Sequence, residues 1–83
     1  MKKGLPQAVQ ATHECLLWLI PQLDKLPKNR RYTLGDKIES RLLDVLELLI
    51  EATYSQNNVA VLKKANYKLA TVRQLWRLCF DLK

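Results

Sequence analysis

Residues 34–54 repeat large aliphatic side chains at three- and four-residue intervals, and this pattern constrains the fold more than any other part of the chain. That spacing matches the 3.6-residue period of an α-helix, not the two-residue period of a strand. The apolar positions are Leu34, Ile38, Leu42, Leu43, Val45, Leu46, Leu48, Leu49 and Ile50. We predict a helix over 34–54 whose apolar face is wider than one core requires, which indicates a second buried contact.

The start of this helix is predicted from Thr33 and Asp36. A threonine hydroxyl can cap the first amides of a helix, and an acid three residues later can reach back to complete a capping box. The preceding stretch, 26–32, contains Pro27 and several charged residues, so we predict a non-helical linker there.

Two further helices are predicted, over 6–24 and 59–82. Val9, Cys15, Leu16, Leu19, Ile20 and Leu23 form the apolar stripe of the first. Leu62, Ala65 or Asn66, Leu69, Val72, Trp76 and Cys79 form that of the last. Pro21 predicts a kink or a restart in the first helix, because proline removes a backbone hydrogen bond and crowds the preceding turn.

The short polar turn at 55–58 favours antiparallel packing of the helices on either side of it. A chain of 83 residues is long enough for one domain, so 1–83 is predicted to be a single unit. The expected fold is therefore all-α, an antiparallel helical bundle of three long helices. A core this small is marginal, which makes an oligomer interface a reasonable expectation.

Positive charge is concentrated in two segments of the chain. The net charge of the whole chain is +6, with +4 in residues 25–33 and +5 in residues 55–83, whereas 34–54 carries −3. Such clustering attracts polyanions, and nucleic acid is the expected partner. The candidate nucleic-acid-binding residues are Lys28, Arg30, Arg31, Lys63, Lys64, Lys68, Arg73 and Arg77.

The basic residues of the last helix include two pairs of like charge, Lys64 with Lys68 and Arg73 with Arg77, each one turn apart. Like charges at this spacing repel by a few tenths of a kcal/mol, which favours an external anion. The alternative is that these side chains solubilise the helix or pair with the acids of helix 34–54. Tyr32 and Tyr67 lie beside basic residues and could stack on bases, whereas Trp18 and Trp76 fall nearer the core stripes and are predicted to be structural.

The residue inventory argues against catalysis, metal binding and a cofactor. One histidine, His13, supports neither a catalytic set nor a zinc site, and no glycine-rich phosphate loop is present. Cys15 and Cys79 lie at apolar helical positions and are predicted to be buried thiols. No apolar stretch approaches the roughly 18 residues of a membrane span, so the expected location is the cytoplasm.

Residues 31–39, with the sequence RYTLGDKIE, and the following LLDVLELLIEA of 42–52 resemble a known family. The chain is similar to the accessory variability determinant (Avd) proteins of diversity-generating retroelements. It also resembles their relatives, the four-helix proteins encoded in intervening sequences of large-subunit ribosomal RNA genes. The stretches NYKL of 66–69 and VRQLWRL of 72–78 fit the same pattern. The likeness covers most of residues 5–83, and its most specific element is the entry at 31–35.

The resemblance implies a non-catalytic accessory subunit of the four-helix-bundle class that assembles into a ring-like homopentamer. Family members associate with the retroelement's reverse transcriptase and template RNA, and they support the error-prone cDNA synthesis of mutagenic retrohoming. By matching positions, Arg30, Arg31 and the basic residues of the last helix would belong to the charged surface, while Thr33 and Gly35 would be structural. The family continues into a fourth helix beyond the position of Lys83, and an apolar face left uncovered here would favour self-association.

Two other functions fit the residues less well. One is a structural protein-interaction module whose basic face meets an acidic protein and which has no nucleic-acid role. The other is a base-reading DNA binder, which the helix connections disfavour because they lack the short turn of a helix-turn-helix.

Overall fold

The computed structural model describes residues 5–82, which are almost entirely helical and contain no strand. The elements are α1 (Leu5–Asp24), a short α2 (Lys28–Arg30), a π-helical turn (Arg31–Gly35), α3 (Asp36–Tyr54) and α4 (Val59–Asp81). The three long helices confirm the all-α prediction. The first four residues and Lys83, which belong to the predicted 1–83 domain, lie outside the described residues.

The second predicted helix begins earlier than expected. Helical structure starts at Lys28 and runs through the π-helical turn into α3, so the predicted linker at 26–32 is wrong for all but its first two residues. Pro27 stands just before the first helical residue, with φ −54° and ψ 150°. Proline is well tolerated there because the first turn needs no amide donor from that position. The proline therefore marks the start of this helix.

Thr33 does not cap a helix. Its hydroxyl donates to the carbonyl of Asn29 at 2.7 Å, a bond that points back along the helix in which Thr33 already lies. Asp36 accepts a hydrogen bond from the guanidinium of Arg31 at 2.7 Å, so it does not complete a capping box. Both side chains have local partners that a capping pattern does not reveal.

Helix α1 continues through Pro21 to Asp24 without restarting. Leu16, Leu19 and Leu23, which lie on both sides of the proline along the chain, are all buried in the same core. We infer that this burial offsets the missing hydrogen bond, at about 25 cal/mol for each Å² of apolar surface removed from water.

The core lies where α1 and α4 pack against α3. Leu23 and Ile38 are fully buried at its centre. The other buried members of the cluster are Leu16, Leu19, Leu42, Val45 and Val72. Of the two alternatives for the α4 stripe, Ala65 is buried and Asn66 is exposed. The apolar periodicity therefore identified the core faces of all three long helices.

Helix α3 is central, and α1 and α4 flank it on neighbouring sides. Residues 25–27 separate α1 from α2 and residues 55–58 separate α3 from α4, and Lys68 of α4 reaches Asp44 of α3 at 3.2 Å. The rings of Trp18 and Trp76 bridge α1 and α4 edge to face, with centroids 6.2 Å apart. Beside this aromatic contact, a groove between α1 and α4 is lined in part by Leu42 of α3.

Candidate nucleic-acid interface

Arg31 is held by three carboxylates, one at the end of α1 and two in the first turn of α3. Its Nε bonds Asp24 at the end of α1 at 2.9 Å, Nη1 bonds Asp36 at 2.7 Å, and Nη2 bonds Glu39 at 2.9 Å. The hydrogen bond to Asp24 and the bond and charge of Glu39 raise the pKa of the Arg31 guanidinium, against the opposing effect of desolvation. Arg31 therefore joins α1 to the start of α3, and it would have to release these carboxylates to bind phosphate.

The π-helical turn and Gly35 make room for this arginine. The amide of Asp36 donates to the carbonyl of Arg31, five residues back, which is the hydrogen bond that defines a π-helix. A Cβ on Gly35 would lie 3.3 Å from both Cδ and Nη1 of Arg31. Because the backbone of Gly35 is ordinary right-handed helix, the glycine serves close packing and not an unusual backbone angle.

Replacing Gly35 with Ala tests this packing. Alanine is favoured over glycine in a helix by about 1 kcal/mol, so Gly35→Ala should stabilise the protein wherever Arg31 does not obstruct the new methyl group. We expect that full gain in an Arg31→Ala background, and a smaller gain or a loss when Arg31 is present. Urea unfolding followed by circular dichroism measures both increments. Equal increments in the two backgrounds would contradict the contact.

Lys68 is also engaged within the chain. Its Nζ lies 3.2 Å from Oδ2 of Asp44, which Arg41 approaches at 3.7 Å. The Lys68 side chain is half-buried, unlike that of Lys64 one turn earlier. The contacts of Lys68 therefore favour the alternative in which it pairs with an acid of α3.

Four predicted binding residues of α4, namely Lys63, Lys64, Arg73 and Arg77, are exposed and make no ion pair with another described side chain. They do not form one patch. At 100° per residue, Lys64 and Arg73 point to roughly opposite sides of α4. At 1.5 Å per residue, Lys63 and Arg77 are about 21 Å apart along the helix axis. The helix thus presents two separate cationic sites.

Lys28 and Arg30 lie on α2, at the end of the molecule where α4 finishes. Lys28 is exposed, whereas Arg30 is half-buried in a concavity that it shares with Cys79 and Leu82. Burial raises the pKa of the Cys79 thiol, and the charge of Arg30 acts in the opposite direction. The prediction of two buried thiols is wrong for Cys15, which is exposed because it faces the open groove and not the core.

The aromatic residues differ in their exposure and in what they contact. Tyr32 and Tyr67 are exposed, as base stacking would require. Trp18 and Trp76, predicted to be structural, contact each other edge to face; Trp76 packs against the core, whereas Trp18 is 58% exposed. The reason is that α1 and α4 both pack mainly on α3, which leaves the outer side of the Trp18–Trp76 contact open.

The groove between α1 and α4, of about 280 Å³, is continued along α4 by two adjoining concavities of about 360 and 300 Å³ that α4 shares with residues 25–30. Leu42, Leu69 and Trp76 contribute apolar surface, and Phe80 lies further along α4, its ring 5.7 Å from that of Trp76. The charged lining residues are Lys25, Arg30 and Arg73, and none is acidic. Lys25, Trp18 and Phe80 are not among the predicted site residues. The four-residue spacing of Trp76 and Phe80 is the signal that could have predicted that these two rings lie on one side of α4.

The described residues hold no group of three or more metal-ligating side chains that could bind an ion. Within 5–82, no helix has both the length and the apolar character needed to cross a membrane.

Comparison with known proteins returns no match: no protein-family model, curated protein or solved structure corresponds to this chain.

Proposed function

We propose that this protein is a non-catalytic accessory subunit of a diversity-generating retroelement. In this role it binds template RNA or cDNA through its basic surface and associates with the reverse transcriptase during mutagenic retrohoming in the cytoplasm. Its helices form an antiparallel bundle that assembles into a ring-like homo-oligomer, a pentamer by family resemblance. Three parts of this proposal rest on the sequence likeness at 31–52 and on α4: the retroelement, the reverse transcriptase as partner and the number of subunits.

The proposed binding of nucleic acid rests on one observation, the exposure of four cations of α4 and their lack of ion pairs with other described side chains. Lys63, Lys64, Arg73 and Arg77 are exposed and without an ion pair to another described residue, while the acids of α3 nearest the core are engaged elsewhere. A cation already paired within the fold must give up its partner to bind phosphate, and a free one need not. These four, with Lys28 and Arg30, are the phosphate-binding residues of the proposal.

Phosphate contacts supply affinity without reading sequence. The two cationic sites of α4 lie on different sides of the helix, so one subunit would contact separate stretches of a folded RNA or present one site to each of two strands. Tyr32 and Tyr67 add exposed rings next to Arg31 and Lys68, suited to stacking on unpaired bases.

The salt dependence of RNA binding tests this proposal. Each neutralised phosphate releases counterions and contributes about −0.7 to −0.9 to the slope of log K against log salt concentration. Six contacts, from Lys28, Arg30 and the four α4 cations, therefore predict a slope of about −4 to −5 for one subunit binding a structured RNA. Fluorescence anisotropy across a salt series measures it. Binding that is weak and insensitive to salt would overturn the nucleic-acid role.

The alternative is a structural helical bundle that binds proteins and has no nucleic-acid role. The groove between α1 and α4 favours it, because a long apolar surface that includes the half-exposed Trp18 is typical of a protein contact. The same salt series separates the two functions, since only the first requires RNA binding.

A further inference from the structure

Two apolar surfaces are exposed in the part of the chain that the structure describes. The first is the groove between α1 and α4. Together with the two concavities that continue it beside residues 25–30, it is about 20 Å long, measured along α4 from Leu69 to Leu82, which is the length of a helical segment of roughly 13 residues. Helices commonly bind in such grooves by laying an apolar stripe along the floor.

The second surface is the outer stripe of α3, formed by Leu43, Ile50 and Tyr54. These side chains are 44%, 43% and 83% exposed, and Ile50 and Tyr54 border a concavity whose other wall is Pro6 and Val9 of α1. Their spacing of seven and four residues places them on one line about 16 Å long. This stripe is a surface on which the second contact predicted from the wide apolar face of α3 could form.

The charges beside the two surfaces are opposite. Glu47 and Glu51 lie next to the outer stripe, are exposed, and form no ion pair with another described side chain. Arg73 lines the groove, and Arg77 follows it one turn later on the same helix. The outer stripe is thus an acidic amphipathic helical surface, and the groove is a basic apolar channel of similar length.

We propose that the groove of one copy receives the outer stripe of α3 from a second copy. The apolar residues Leu43, Ile50 and Tyr54 would pack near Trp18, Trp76 and Phe80. Glu47 and Glu51 would face Arg73 and Arg77, so that in the assembly phosphate contact is left to Lys28, Arg30, Lys63 and Lys64. This inference deepens the homo-oligomer part of the proposed function, on which it rests, by stating which two surfaces meet.

The contact is heterologous, because two different surfaces of the same chain meet in it. After one contact, the first copy still has its outer stripe and the second its groove available for further copies, so the assembly closes into a ring or extends as a filament. It also covers both exposed apolar surfaces at once. One interface therefore accounts for two features that a monomer leaves in contact with water.

Charge-swap variants test the contact through the concentration dependence of mass, measured by light scattering. We expect Glu47→Lys with Glu51→Lys, and separately Arg73→Glu with Arg77→Glu, to weaken self-association by about tenfold or more, since each places like charges face to face. The quadruple variant should recover most of the wild-type association, because every interface again pairs opposite charges. Failure of the quadruple variant to recover would overturn the assigned pairing.

Apolar substitutions provide a second, independent test. Trp18→Ser should lower the assembly mass, whereas Leu17→Ser, the exposed neighbour on α1 outside the groove, should leave it unchanged. Circular dichroism confirms that both variants remain helical. An unchanged mass for Trp18→Ser, or a wild-type protein that stays monomeric at high concentration, would overturn the proposal.

The acidic double variant separates this inference from nucleic-acid binding. Glu47 and Glu51 belong to no phosphate contact, so the Glu47→Lys and Glu51→Lys protein should assemble less while retaining salt-dependent RNA binding. If a single-stranded oligonucleotide instead quenched tryptophan fluorescence and Trp18→Ser weakened its binding, the groove would be a base-stacking site and the proposal would fall. Saturable binding of an acidic helical peptide to a monomeric wild-type protein would likewise overturn the proposal, because the occupant of the groove would then be another protein and not a second copy.

Discussion

Leu23→Ala should destabilise the protein by about 3 kcal/mol, a large share of the roughly 5–15 kcal/mol that holds a domain folded. Leu23 has no exposed surface and lies at the centre of the core shared by α1 and α3. Its truncation removes buried methyl groups and leaves a cavity that surrounding helices fill only in part. Urea unfolding measures the destabilisation, and for so small a domain the variant is expected to be partly unfolded before denaturant is added.

The matched control is Leu17→Ala on the same helix. Leu17 is 64% exposed, so the same truncation there should cost less than about 1 kcal/mol. The difference between the two variants isolates burial from helix propensity, because the substitution and the helix are identical. Equal destabilisation by the two variants would show that α1 does not pack with Leu23 facing inward.

Charge reversal on α4 should have the largest effect on RNA binding. Replacing Lys63, Lys64, Arg73 and Arg77 with Glu removes four attractive interactions with phosphate and introduces four repulsive ones. We expect affinity at low salt to fall by about a hundredfold or more, and the salt slope to decrease by about 1 for each phosphate that is no longer neutralised. Anisotropy titrations with one RNA at several salt concentrations measure both changes, and circular dichroism verifies helicity.

Two double variants, Lys63→Glu with Lys64→Glu and Arg73→Glu with Arg77→Glu, test the two cationic sites separately. The lysine pair tests RNA binding without changing the groove, because neither lysine lines it. Lys37→Glu, an exposed reversal on α3 outside the proposed site, controls for the change in net charge. The matched comparison is the single variant Lys64→Glu. If Lys37→Glu weakened RNA binding as much as Lys64→Glu alone, overall charge and not the α4 surface would explain the affinity.

Helix type, approximate helix ends and core faces could be predicted from the sequence because they depend on local periodicity. The buried positions Leu16, Ile38 and Val72 each lie on a stripe of period 3.6. The predicted start of the second helix is wrong because Pro27 and Thr33 each have two structural uses. Proline can end a helix or precede one, and a threonine hydroxyl can cap a helix or bond back within it.

The accessibility of individual charges could not be predicted in the same way. Arg31 and Arg30 are neighbours with the same chemistry, yet only Arg31 is held by three carboxylates, one of them seven residues away on α1. Similarly, Lys64 and Lys68 form one pair in the sequence, but only Lys68 meets Asp44, which is 24 residues away. Such pairings arise from helix packing, and no local pattern contains them.

By itself, the sequence determined that this protein is helical, which faces of its helices are apolar, and where its positive charge is concentrated. The physical reason is that periodicity and charge are properties of short segments. Tertiary structure alone decided that α1 and α4 flank α3 and leave a groove between them, which exposes Trp18 and Cys15. It also decided which cations remain free, because an ion pair requires two side chains to be brought within about 4 Å by the packing of distant segments.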